Sequence, residues 1–155
     1  MPPTLRPCRP EDQDFLFKLY ASTRAHEFAG VGWPAAQLET FLRMQFTAQQ
    51  RWYELTYGQS EHQIIEQDSQ PIGRMMVLRE KSSALLVDIS LLAEHREQGI
   101  GGALLCDLIQ QCKRDSVPLK LQVLKNNPAL RLYERLGFLR TGEDQMYIQM
   151  ERRPD

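Results

Sequence analysis

Apolar positions recur along this chain in two rhythms, and the switch between them divides it. Phe15, Leu16, Leu19 and Tyr20 fall at helical spacing after Pro10-Glu11-Asp12, where acidic residues suit a first turn. Gly30-Val31-Gly32 interrupts that helix. Trp33-Pro34 opens a second, with Pro34 in its first turn and Leu38, Phe41, Leu42 and Phe46 on one face. It runs to Tyr57, and Gly58 ends it. The period then falls towards two. Strands are expected over His62–Gln67, Ile72–Arg79 and Ala84–Leu92, with turns at Asp68–Pro71 and Lys81–Ser83. Ile100, Leu104, Leu105, Leu108, Ile109 and Cys112 restore the helical period over Gly99–Asp115. A strand over Pro118–Leu124, a short helix over Pro128–Leu136 and strands over Phe138–Arg140 and Gln145–Met150 follow, the last two around a turn at Gly142-Glu143. With a first strand over Thr4–Cys8, the order is β-α-α-β-β-β-α-β-α-β-β. This is an α+β (mixed α/β) pattern: one mixed, mostly antiparallel twisted sheet flanked by helices.

No repeat or linker composition divides residues 1–155, so a single domain is expected. Its 155 residues carry a net charge of −1, which disfavours a nucleic-acid surface, since such surfaces need a basic stripe. No apolar run is long enough to span a membrane. The N-terminal MPPTLRPCRP lacks a secretory apolar core, which together with the thiols points to the cytosol. Cys8, Cys106 and Cys112 match no disulfide or zinc spacing and read as reduced packing thiols. No metal site is expected.

The chemistry concentrates where the third long strand meets the following helix, in Leu91-Leu92-Ala93-Glu94-His95-Arg96-Glu97-Gln98-Gly99-Ile100-Gly101-Gly102. A helix start gathers free N–H groups and about half a positive charge. Glycines there let a phosphate approach the backbone. The segment is not a Rossmann fingerprint, because Leu104 stands where the third glycine would fall. It is not a P-loop either, because no Gly-Lys-Ser/Thr follows.

Arg96-x-x-Gly99-x-Gly101 resembles the acyl-CoA signature R/Q-x-x-G-x-G/A of the GNAT superfamily of N-acetyltransferases. Asn126-Asn127-Pro128-Ala129-Leu130-Arg131-Leu132-Tyr133-Glu134-Arg135-Leu136-Gly137-Phe138 is similar to the family's N-x-x-A-x-x-x-Y-x-x-x-G-F segment. The resemblance implies acetyl-CoA as the acyl donor and a small-molecule or peptide amine as acceptor. It implies that Ile89, Ser90 and Leu91 pair with the pantetheine arm as an added strand would. Glu97, Gln98, Gly99, Ile100, Gly101 and Gly102 would wrap the pyrophosphate with their amides, Arg96 would close that turn, and Asn126 or Asn127 would contact the cofactor. Tyr133 would be the general acid beside the sulfur.

An alkyl ammonium of pKa ~10 is neutral in only about one part in a thousand at pH 7, so a base is required. Some family members place a Glu on the strand before the last helix, where this chain has Gln122. Gln122 cannot usefully accept a proton, so Glu27, Glu54, Asp88 and His26 are the candidates, directly or through water. Arg24, Glu27, Trp33 and Tyr53 are the expected acceptor-side residues. A strand edge near Tyr147 offers a route to a homodimer. The replacement by Gln122 also motivates a competing reading, a non-catalytic acyl-CoA sensor. A third reading, an unrelated phosphate-binding enzyme, would require tighter binding of ATP than of coenzyme A.

Overall fold

A computed structural model describes residues 2–155, the side chain of His26 excepted. The elements are β1 (Thr4–Pro7), α1 (Gln13–Arg24), α2 (Ala35–Tyr57), β2 (Glu61–Gln67), β3 (Gln70–Arg79), β4 (Ala84–Leu91), α3 (Ile100–Asp115), β5 (Leu119–Leu124), α4 (Ala129–Arg135), β6 (Leu139–Glu143) and β7 (Tyr147–Arg152). Their order is the expected one. They form one seven-stranded sheet in the order β1-β2-β3-β4-β5-β7-β6, antiparallel throughout except for the parallel pair β4–β5.

The sheet separates two apolar layers. On one face Leu16, Phe17 and Tyr20 of α1 meet Leu42 and Phe46 of α2 over Ile64. On the other, Leu104, Leu105, Leu108 and Ile109 of α3 cover Ile65, Met75, Leu86, Leu121 and Met150. Ile64 and Ile65 are both fully buried, one in each layer. That is the two-residue period of a strand covered on both sides. Burial of each such side chain stabilises the fold by roughly 1.5–3 kcal/mol.

Several boundaries differ from expectation. Asp68 and Ser69 both hold positive φ (52° and 65°), making a two-residue hairpin, so β3 starts at Gln70 rather than Ile72. Pro34 precedes α2 as its cap, with its carbonyl accepting from the Leu38 N–H at 3.0 Å. β6 continues through Gly142 and Glu143 past a bulge, and the chain reverses after Asp144 instead. There Asp144 Oδ1 accepts from the N–H groups of Met146 and Tyr147, at 2.9 and 2.7 Å. Tyr147 is not on an edge: β7 lies between β5 and β6, and the sheet ends at β1 and β6. Cys112 is buried as a packing thiol, but Cys106 is exposed on α3.

The centre of the sheet is irregular. β4 and β5 pair only through Ala84–Leu119, Leu85–Lys120 and Leu86–Leu121. Val87 is an extra residue, since Val77 faces Leu86 while Met76 faces Asp88. A bulge bends its strand. β5 pairs along its whole length with β7 on its other side. The stretch Val87–Leu91 therefore has no β5 partner, and the sheet opens there into a wedge.

Candidate active site

The wedge is flanked by a nitrogen-rich turn. After β4 the chain makes a short turn at Ala93–His95, and then Glu97 (φ 61°) and Gly99 (φ 80°) take left-handed conformations. Gly99 caps α3 in that conformation, which glycine adopts without Cβ strain. Arg96 Nε donates to the Leu91 carbonyl at 2.9 Å, and Gln98 Nε2 donates to the Glu94 carbonyl at 2.9 Å. Both side chains thereby brace the turn instead of filling it. The first helical bond runs from the Ala103 N–H to the Gly99 carbonyl at 3.0 Å. Among the described residues, the N–H groups of Glu97, Gln98, Gly99, Ile100, Gly101 and Gly102 have no backbone acceptor. A Cβ built on Gly99 or Gly101 meets nothing within 4 Å, so the space before these amides is open. Unpaired amides, a helix dipole and open space fit a diphosphate. The Ile100 side chain is buried in the core and offers the site only its amide.

Ile89, Ser90 and Leu91 lie on the stretch of β4 that pairs with β3 but has no β5 partner. Ile89 and Leu91 pack against the α3-side core that also contains Tyr133. Asn127 is committed to starting α4: its Oδ1 accepts from the Ala129 N–H at 2.9 Å and its carbonyl from the Leu130 N–H at 3.1 Å. Asn126 is exposed with no such duty. Tyr133 is 7% exposed on α4, edge-on to Phe138 with ring centroids 5.8 Å apart. Burial, and secondarily the negative charge of Asp88, push its phenol up to about 12.

Asp88 is positioned by a residue that the pattern of apolar positions did not single out. Arg74, on β3, is buried at 5% exposure. Its Nε donates to Asp88 Oδ2 at 2.8 Å and its Nη2 to Gln49 Oε1 of α2 at 3.0 Å. Its guanidinium lies 5.2 Å from the centroid of the Tyr53 ring. Tyr53 is raised above the usual phenol range by burial first and by Asp88 next, with Arg74 opposing. His62 completes the cluster on β2. Burial and then Arg74 depress it to about 4, so it is neutral at pH 7, and its buried Nε2 has no partner among the described residues. An arginine inside Ile72–Val77 was the available sequence signal, because a buried guanidinium demands a carboxylate partner.

The other acceptor-side candidates gather elsewhere. Arg24 Nε pairs with Glu27 Oε2 at 2.7 Å, and its guanidinium lies over Phe28. Phe28 stacks with Trp33, and both meet Phe41 near the start of α2. Tyr53 is twelve residues beyond Phe41, about 18 Å along the helix axis. Glu54 is exposed on α2. The side chain of His26 lies outside the described residues. Gln122 is exposed on β5 and accepts from Gln149 Nε2 at 3.1 Å. No three His, Cys, Asp or Glu side chains among the described residues are grouped to hold a metal, and no helix among them is long and apolar enough to cross a membrane.

The family model for the acetyltransferase (GNAT) domain matches residues 24–148. The chain belongs to the GNAT acetyltransferase family. The GNAT model spans both the amide turn and the Tyr133 helix. Among solved structures, a PaiA N-acetyltransferase from Thermoplasma acidophilum in complex with coenzyme A is similar at 19% identity, covering 99% of each chain with a TM-score of 0.74. The ribosomal-protein-S18-alanine N-acetyltransferase from Escherichia coli is similar at 20% identity, covering 99% of this chain and 94% of that one, with a TM-score of 0.65. A GNAT family acetyltransferase from Elizabethkingia anophelis with acetyl-CoA bound is similar at 16% identity, 97% coverage of each chain and a TM-score of 0.60. These likenesses show the GNAT fold. A search of curated protein sequences finds no match.

Proposed function

We propose that this GNAT protein is a cytosolic N-acetyltransferase that moves an acetyl group from acetyl-CoA to a primary amine of a small molecule or peptide by direct attack. The reading is carried by the six amides of Glu97–Gly102 that lack a backbone acceptor, following a stretch of β4 that has no β5 partner and whose Ile89 and Leu91 pack on the core that contains Tyr133. The amides take the pyrophosphate, the β4 edge takes the pantetheine arm, and Asn126 contacts the cofactor, since Asn127 is spent on the helix cap. The thioester then lies beside Tyr133.

The amine nitrogen attacks the thioester carbonyl carbon. A C–N bond forms, the C–S bond breaks and sulfur leaves as a thiolate. Tyr133 stabilises the developing charge by hydrogen bonding. Full transfer from a phenol near 12 to a thiolate of pKa ~8.5 would be uphill by roughly 5 kcal/mol, so the phenol shares its proton in the transition state without surrendering it. Two protons leave the ammonium. The first passes to solvent through water hydrogen-bonded to Asp88 before attack; the second is lost as the amide forms and ends on sulfur. Among the described residues, Asp88 is the proposed base that is electrostatically coupled to Tyr133.

A thiol-release assay across amines, polyamines, amino acids and peptides tests this. Acceptor-dependent release of coenzyme A supports the transferase. Slow hydrolysis unaffected by every amine would favour the acyl-CoA sensor, the reading that Gln122 motivates.

A further inference from the structure

We propose that Arg74 is a positioning residue that holds Asp88 at the mouth of the wedge and ties its placement to α2; this rests on Asp88 being the base. The strands meet in rows on the α2 side of the sheet: His62, Met76 and Asp88 in one, Ile64, Arg74 and Ser90 in the next. Asp88 directly follows the bulged Val87, where β4 has lost β5 and pairs only with β3. Its carboxylate needs a fixed partner there, and Arg74 supplies one from the central strand. The guanidinium is planar, so the bond from Nε to Asp88 fixes the direction of Nη2, which meets Gln49. The Tyr53 ring lies 5.2 Å away. One rigid group therefore joins β4, β3 and α2 at the point where acceptor and base must meet. The titratable groups coupled to one or both members of the pair are His62 from β2, Tyr53 from α2, Tyr133 from α4 and Cys8 after β1. None of these is a cation at pH 7, and Arg74 is the cation bonded to Asp88. Its bonds to Asp88 and Gln49 turn two of the guanidinium nitrogens towards the protein, so Arg74 acts on the acceptor through Asp88.

Arg74→Lys tests the assignment. It keeps the charge, but a lysine ammonium has no fork to span Asp88 and Gln49 together. With the amine that gives the fastest thiol release, kcat should fall at least about tenfold, while the KM for acetyl-CoA stays within about twofold. Gln49→Ala, which removes only the α2 tether, should lower kcat about threefold in the same way. Arg74→Lys should add little to the loss caused by Asp88→Asn, because both act through one carboxylate. Wild-type kcat in Arg74→Lys beside an inactive Asp88→Asn would overturn the role of Arg74 and leave the base standing. Wild-type kcat in Asp88→Asn would remove the base itself. If Arg74→Lys does not fold, Gln49→Ala decides: an unchanged kcat overturns the proposal, and the expected fall with KM unmoved supports it.

Discussion

Deleting one amide from the phosphate cradle while leaving the fold intact is possible at Gly101. This residue is the second position of α3, where the N–H has no intrahelical acceptor. Gly101→Pro removes that N–H and nothing else that the fold uses, since proline is tolerated in a first helical turn. The cost to stability comes from the restriction on Ile100 before a proline and should stay near 1 kcal/mol. The cost to binding is a lost hydrogen bond to a charged phosphate, about 1.5–3 kcal/mol. At 1.4 kcal/mol per factor of ten, the Kd for coenzyme A should rise about ten- to hundredfold. Gly101→Ala is the control: it keeps the N–H, alanine fits the G/A position of the signature, and it removes the helical cost of glycine, so it should bind normally and melt no lower than wild type. Calorimetry with coenzyme A and thermal melts without ligand measure the two quantities separately. A folded Gly101→Pro that binds coenzyme A as tightly as Gly101→Ala would refute the amide cradle.

Other side chains give independent outcomes. Tyr133→Phe should reduce kcat by about 10²-fold or more with the KM for acetyl-CoA nearly unchanged, by steady-state kinetics. Because the folded phenol is raised from 10 to about 12, its contribution to stability is complete below pH 10 and is lost as pH rises towards 12; Tyr133→Phe should flatten that alkaline limb in pH-dependent melts. Asp12 is held at about 2 by its hydrogen bonds from Arg6, so its stabilisation of roughly 1–2 kcal/mol is present above pH 4 and lost as pH falls towards 2; Asp12→Asn should flatten that acid limb in the same melts. In a thiol titration of the native protein, Cys106 should react first and Cys112 only on unfolding, because Cys106 alone is exposed. Fast labelling that persists in Cys106→Ser would contradict this.

The order of elements was legible because long helices and strands announce themselves by period. Leu104, Leu105, Leu108 and Ile109 could only line one helical face, and they do. The turns were less legible. Nothing in Asp68-Ser69 demands two left-handed residues, and Gly142 reads as a turn although it lies beside a bulge within β6. Strand order is set by contacts across the chain, so Tyr147 could be assigned to a strand but not to an edge. The glycine turn was legible because its chemistry is local and backbone-made. The Arg74–Asp88–Gln49 link was not, because its members are 14 and 25 residues apart and meet only through the sheet and α2. Arg24, Glu27 and Trp33 were grouped with Tyr53 by composition, and the length of α2 separates them.

The most direct measurement is a crystal structure of the wild-type protein with coenzyme A. The pyrophosphate is expected within hydrogen-bonding distance of the Glu97–Gly102 amides and the thiol beside the Tyr133 hydroxyl. Coenzyme A bound with its diphosphate away from those amides, or with its sulfur remote from Tyr133, would contradict this.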